Sequence, residues 1–172
     1  MEKTSTKIFL ILFIISATAW LAASSVKNYR AGMLIEFGTV QFRNDLNVET
    51  ERSSYDQIAQ SSIVTMSLYP LVLLTAAGFL ATTRRTFRKD GWLLMSTILL
   101  FGFIPVELYC YWLDWKLIGL NYWGDWPLEE FRKAIVLRMT ALAGLPFIAQ
   151  LCYYTIPIFV IFKPLQKKND EY

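Results

Sequence analysis

Four apolar stretches, each near the length needed to cross a lipid bilayer, constrain this chain more than anything else in it. Crossing roughly 30 Å of hydrocarbon takes about 20 helical residues. Backbone polar groups in lipid must be bonded within the segment, which leaves a helix as the natural solution. Residues 8–26 and 63–81 contain no charged side chain at all. Residues 92–112 contain one, Glu107, and residues 134–162 contain one, Arg138. A soluble four-helix bundle is the competing fold, but its helices would each keep one polar face at the 3.6-residue period. The first two runs are apolar all round. The predicted fold is therefore an all-α integral membrane protein, a bundle of four transmembrane helices forming a single membrane domain over residues 1–172.

The spans are expected at 8–26, 63–81, 92–112 and 134–162, with loops 27–62 and 113–133 on one side and a basic turn, 82–91, on the other. The first span has a basic lead, Lys3 and Lys7, and ends in the small residues Ala22, Ala23 and Ser24, a pattern shared with cleavable signal peptides. It is read as a retained helix. Ser54 and Gln57 form an S-x-x-Q capping pattern, which predicts that the second helix starts near Tyr55. Pro70 is expected to bend that helix, as are Pro146 and Pro157 the last one. Asp125-Trp126-Pro127 supplies a cap and a first-turn proline for an amphipathic lead into the fourth span. That lead is predicted to lie along the membrane interface.

Lys and Arg concentrate on the cytoplasmic side of membrane proteins. Lys3, Lys7, Arg84, Arg85, Arg88, Lys89, Lys163, Lys167 and Lys168 are nine of the 17 basic residues, and an even number of spans puts all nine on one side. Both termini are thus expected in the cytoplasm, with the plasma (inner) membrane as the location. Arg84, Arg85, Arg88 and Lys89 are candidate contacts for anionic lipid. Trp20, Trp112, Trp115, Trp123 and Trp126 gather at the opposite, outer boundary. Most such aromatics are anchors, and Trp112, Trp115, Trp123 and Trp126 are also candidate lipid or ligand contacts. In the first outer loop, residues 33–42 are rich in strand formers, suggesting a short two-stranded β element or, equally, an irregular loop packed by its apolar residues.

Composition narrows the chemistry. The chain has no histidine, which removes the usual ligand or base of haem, catalytic zinc and Ser-His or Cys-His sites. Cys110 and Cys152 lie in apolar runs with no CxxC pattern and read as small core residues. A net charge of +3 is too small to argue for nucleic acid. No P-loop, dinucleotide glycine fingerprint, H-E-x-x-H or G-x-S-x-G motif occurs, and the spans carry no aspartate pair. Four spans with a large first outer loop have a layout similar to claudin-like proteins, but the W…GLW…C…C signature of that loop is absent. No metal or cofactor is expected.

Glu107 stands out, because a carboxylate within a span is costly and is a functional candidate by default. Five residues before Trp112, it is expected roughly 8 Å below the outer boundary. Arg138 enters from the same side on the next span, so a buried Glu107–Arg138 ion pair is predicted, either fixing helix register or serving a proton, ion or ligand. Gln150 is expected to bond a neighbouring helix, and Tyr109, Tyr111, Tyr153 and Tyr154 flank the region. The leading functional expectation is a non-catalytic subunit of a larger membrane complex, with membrane lipids and other subunits or further copies as partners. The alternatives are a small oligomeric carrier or channel using Glu107, and a lipid or quinone site at the outer interface.

Overall fold

The computed structural model describes residues 3–36, 39, 41–43, 45–124 and 127–165. Six α-helices follow one another: α1 (Thr4–Met33), α2 (Val48–Thr82), α3 (Gly91–Gly102), α4 (Ile104–Trp123), α5 (Leu128–Met139) and α6 (Leu145–Phe162), with one 3₁₀ turn (Ala141–Gly144) before α6. Four units are long and apolar enough to cross a membrane: α1, α2, α3 with α4, and α5 with α6. Much of their surface is bare hydrocarbon, including Ile11, Ile15, Leu74, Ile98, Leu151 and Ile161. A water-soluble monomer does not expose apolar surface so continuously.

The bundle is organised by seams at three- and four-residue spacing, the repeat that keeps one helix face inward. On α2 the seam is Glu51, Tyr55, Ile58, Ser62, Thr65, Tyr69, Val72 and Ala76, every one buried. On α1 it includes Ser16, Trp20, Lys27 and Ala31. The two helices run antiparallel, as their bonds show: Thr6 donates to the Thr82 carbonyl (2.8 Å), Ser16 meets Thr75 (3.3 Å) and Lys27 donates to Thr65 (3.2 Å). Small and hydroxyl-bearing residues let helices approach closely and bond across an apolar interface. Gly78 is the tightest point: a Cβ there would lie 2.5 Å from the Phe9 ring.

Two of these four long apolar units are interrupted. α3 stops at Gly102, and α4 restarts with Pro105 in its first turn, where a missing N–H costs nothing. Between α5 and α6, Leu142 (φ 49°), Ala143 (φ 53°) and Gly144 (φ 84°) are all left-handed, and Pro146 opens the new helix. Only the glycine is comfortable in that region. α2, by contrast, continues through Pro70, which is exposed.

One end of the bundle gathers the start of α1, the end of α2, the start of α3 and the end of α6, and is called here the basic end. Gly91 N–H donates to Leu165 O there (3.3 Å). The other is called the aromatic end. Two apolar cores stack along the axis. The larger contains Trp20, Tyr69, Val72, Leu100, Ala149 and Tyr153. The second, nearer the aromatic end, contains Ala31, Leu34, Tyr55, Ile58, Leu117, Phe131 and Ile135.

That second core corrects the sequence expectation. Most of the predicted loops 27–62 and 113–133 is helical, with α1, α2 and α4 running on past the predicted span ends. α2 starts at Val48, capped by Asn47 accepting from Glu49 N–H (3.3 Å), so Ser54 is no cap. Its hydroxyl instead bonds the Thr50 carbonyl within the helix (2.8 Å). Among the described residues, the expected β element amounts to one antiparallel bridge, Ile35 with Phe42, and no strand. Asp125 and Trp126 lie outside the described residues, while Pro127 directly precedes α5.

Candidate functional site: a buried charge layer

Between the two cores lies a polar layer made by four seams reaching the same level. Asp114 is wholly buried on α4, between Cys110 and Leu117 of the same face. Its Oδ2 accepts from Lys27 Nζ of α1 (2.5 Å) and its Oδ1 from Arg138 Nε of α5 (3.0 Å). Lys27 also donates to Thr65 Oγ1 of α2 (3.2 Å), and that hydroxyl donates to the Ser62 carbonyl (3.0 Å). The side chains of Lys27 and Asp114 are 5% and 1% exposed, and that of Arg138 12%. Asp114 therefore joins α1 to α5 directly, with α2 attached through Thr65.

Arg138 thus has a different partner from the one expected. No ion pair joins Arg138 to Glu107; the guanidinium takes Asp114 instead. The physical reason is helix length. Ending the third span at Trp112 leaves Asp114 in a loop, whereas α4 continues to Trp123 and carries Asp114 inward at the level of Arg138. Glu107 lies two turns deeper on the same α4 face, about 10 Å along the axis. It is 8% exposed. Lys27, Arg138 and Asp114 all act on it electrostatically, and Tyr153 faces it from α6. Around it stand Tyr69, Tyr111 and Tyr153, which also feel its charge. Tyr111 donates to the Thr65 carbonyl (3.1 Å) and accepts from Trp20 Nε1 (3.2 Å). The buried hydroxyl of Tyr153 faces both Glu107 and the buried hydroxyl of Tyr69.

Of the other flanking tyrosines, Tyr109 packs on Trp112 (5.8 Å between rings), while Tyr154 meets Ser25 Oγ (2.6 Å). Gln150 bonds α1 twice: its Oε1 accepts from Asn28 Nδ2 (2.7 Å) and its Nε2 donates to Ser25 Oγ (2.9 Å). The aromatic set is split from the charge layer. Trp112, Trp115 and Trp123 are 51%, 55% and 71% exposed, whereas Arg138 turns inward. Trp115 and Trp123 pack with tilted rings, 5.6 Å between centroids, and Lys116 Nζ sits 3.6 Å above the Trp112 ring. Trp126 lies outside the described residues. At the basic end, Arg84, Arg88 and Lys89 are exposed, and Arg85 bonds Asp90 (3.2 Å) and covers Trp92.

Sequence reasoning also missed a clasp nearer the aromatic end, in the part of α2 beyond the apolar run 63–81. Glu51, wholly buried, takes a two-pronged bond from Arg132 (Nε 2.7 Å, Nη2 2.9 Å) and a third from the Tyr55 hydroxyl (2.5 Å). Tyr55 stacks on Phe131 at 4.6 Å. The Arg132 bonds hold the Glu51 carboxyl below its ordinary range. The signal lay in spacing: Glu51, Tyr55 and Ile58 continue the seam of the apolar helix below them.

Known proteins supply no further constraint, for no family model, curated protein or solved structure matches this chain.

Proposed function

We propose that this chain is a multi-pass protein of the plasma (inner) membrane, its basic end and both termini cytoplasmic, serving as a non-catalytic subunit of a larger membrane assembly. The use made of charge supports this reading. Asp114 gives both oxygens to residues on other helices, and Glu51 gives both of its own to Arg132 of α5, with Tyr55 of its own helix adding a third bond. Buried charge so arranged fixes which helix faces meet. The aromatic surface is turned outward instead: Trp115 and Trp123 form a ridge with a groove on either side, one bounded by Lys133 and Leu137, the other by Ile63 and Met66. Exposed tryptophans are the residue type that dominates protein contacts when a partner covers them.

A photo-crosslinking amino acid at position 123, against controls at Leu74 and Ile161, tests this in native membranes. All three sites are about equally exposed. Protein adducts from position 123 alone, from a particle larger than one chain after gentle solubilisation, are expected. Lipid adducts only, from a monomer, would refute the subunit role.

A second reading has its own observation. Glu107 is buried with no ion-pair partner among the described residues, beside the buried hydroxyls of Tyr69 and Tyr153, an arrangement suited to holding a proton or a small cation. In this reading the chain oligomerises into a carrier. Proteoliposome uptake that is unchanged by Glu107→Gln rejects it.

A further inference from the structure

At the basic end, α1, α2, α3 and α6 leave a cleft of about 300 Å³ between them. That is the small end of the range for ligand pockets, and too little for an added helix about 10 Å across. Its walls are hydrocarbon: Leu10 and Phe13 from α1, Phe79 from α2, Leu100 from α3 and Val160 from α6. Its lining also includes three cations, Lys7, Arg85 and Lys163. They come from three separate places in the chain, the first turn of α1, the α2–α3 turn and the residue ending α6. Arg85 is positioned by Asp90 and by the Trp92 ring, 5.5 Å away. Lys7 and Lys163 are exposed.

An apolar slot with cations gathered at its end matches an amphiphile carrying the opposite charge. We propose that this cleft is a specific site for one anionic glycerophospholipid, an acyl chain lying between α1 and α3 and the phosphate held by Lys7, Arg85 and Lys163. Charge complementarity selects the occupant. A zwitterionic lipid offers the same chain, but its own ammonium opposes the three cations. The site is distinct from the exposed Arg84, Arg88 and Lys89, which attract an anionic surface without a slot to hold any one molecule.

Native mass spectrometry of the purified full-length chain, titrated with dioleoyl phosphatidylglycerol or dioleoyl phosphatidylcholine, tests the proposal. The wild type is expected to retain one phosphatidylglycerol. A basic residue at an anionic membrane surface contributes enough that two lysines correspond to about a thirty-fold preference. Lys7→Gln with Lys163→Gln should abolish most of that preference. Thr97→Phe, which puts a ring into the cleft, should remove the retained copy of either lipid, with helicity by circular dichroism confirming the fold. Neutralising Arg84, Arg88 and Lys89 should leave the retained copy in place. Equal retention of the two lipids by the wild type overturns the proposal. So does a folded Thr97→Phe protein that still holds its lipid, or a preference lost with Arg84, Arg88 and Lys89 but not with Lys7 and Lys163.

Discussion

Replacing Asp114 with asparagine keeps the shape of the side chain and removes its charge, so it isolates what the charge layer contributes. Asp114 faces two cations at 2.5 and 3.0 Å. At an effective dielectric of about 20, each contact is worth about 6 kcal/mol of Coulomb attraction, largely offset by the cost of burying the ions. The variant keeps the burial cost of the two cations and loses the attraction, leaving Lys27 and Arg138 to repel each other across a neutral amide. Breaking a buried pair costs about 3–5 kcal/mol, and two orphaned cations put Asp114→Asn at the upper end. Lys27→Met should cost far less, because Asp114 and Arg138 remain a neutral, bonded pair. Thermal melts in detergent, followed by circular dichroism, should show a loss of about 10 °C or more for Asp114→Asn. Maleimide labelling of Cys110, wholly buried one turn away on α4, should accelerate in parallel. If Asp114→Asn melts like the wild type while Glu107→Gln is the damaging change, Arg138 is paired with Glu107 and the geometry argued here is wrong.

Two further predictions test the ends of the same bundle. The Glu51 carboxyl is held below its ordinary range by Arg132, so between the folded and unfolded values the unfolded chain binds the extra proton. Its stabilisation is then full above about pH 5 and is lost as pH falls through the folded value; melting temperature should drop on acidification, and Glu51→Gln should flatten that slope. Gly78→Ala places a methyl against the Phe9 ring and should destabilise by about 1–3 kcal/mol, with Phe9→Leu restoring part of it in the double variant.

The four long apolar helical units were legible because hydrocarbon imposes a uniform demand: about 20 residues without charge, whatever they pack against. Residues 8–26 and 63–81 meet it without any help from tertiary structure. What lay above them was not legible on that criterion, since a hydropathy window ends where Lys27 or Asp114 begins, whether or not the helix does. The seam persists where the hydropathy fails. On α4, Val106, Cys110, Leu113 and Leu117 are buried with Glu107 and Asp114 among them, at spacings that hold one face inward across the supposed boundary. Glu107 and Asp114 are seven residues apart, two turns on one face, so the sequence did mark them as neighbours. Which of the two Arg138 takes depends on how far α4 continues beyond Trp112 and on how deep α5 runs before the left-handed turn at Leu142 and Ala143. Neither residue type suggests such a turn, so the pairing could not be read in advance.

The position of the charge layer follows from the two cores it separates. Tyr69, Trp20 and Tyr153 pack below it, and Tyr55, Phe131 and Ile135 above it. α1 and α2 each contribute buried apolar side chains to both cores, so a slip of one helix by a turn would still bury apolar groups against apolar groups. Hydrophobic contact alone is a poor judge between such registers, because it is nearly indifferent to which apolar side chains meet. A slip that moved Asp114 away from Lys27 and Arg138 would leave three charges unpaired in the interior, a penalty no repacking of leucines could offset. The layer therefore selects one register rather than adding much net stability. That separates two outcomes for Lys27→Met, Asp114→Leu and Arg138→Met combined: a melting temperature close to the wild type, with loss of a single well-ordered bundle seen as faster labelling of Cys110 and Cys152.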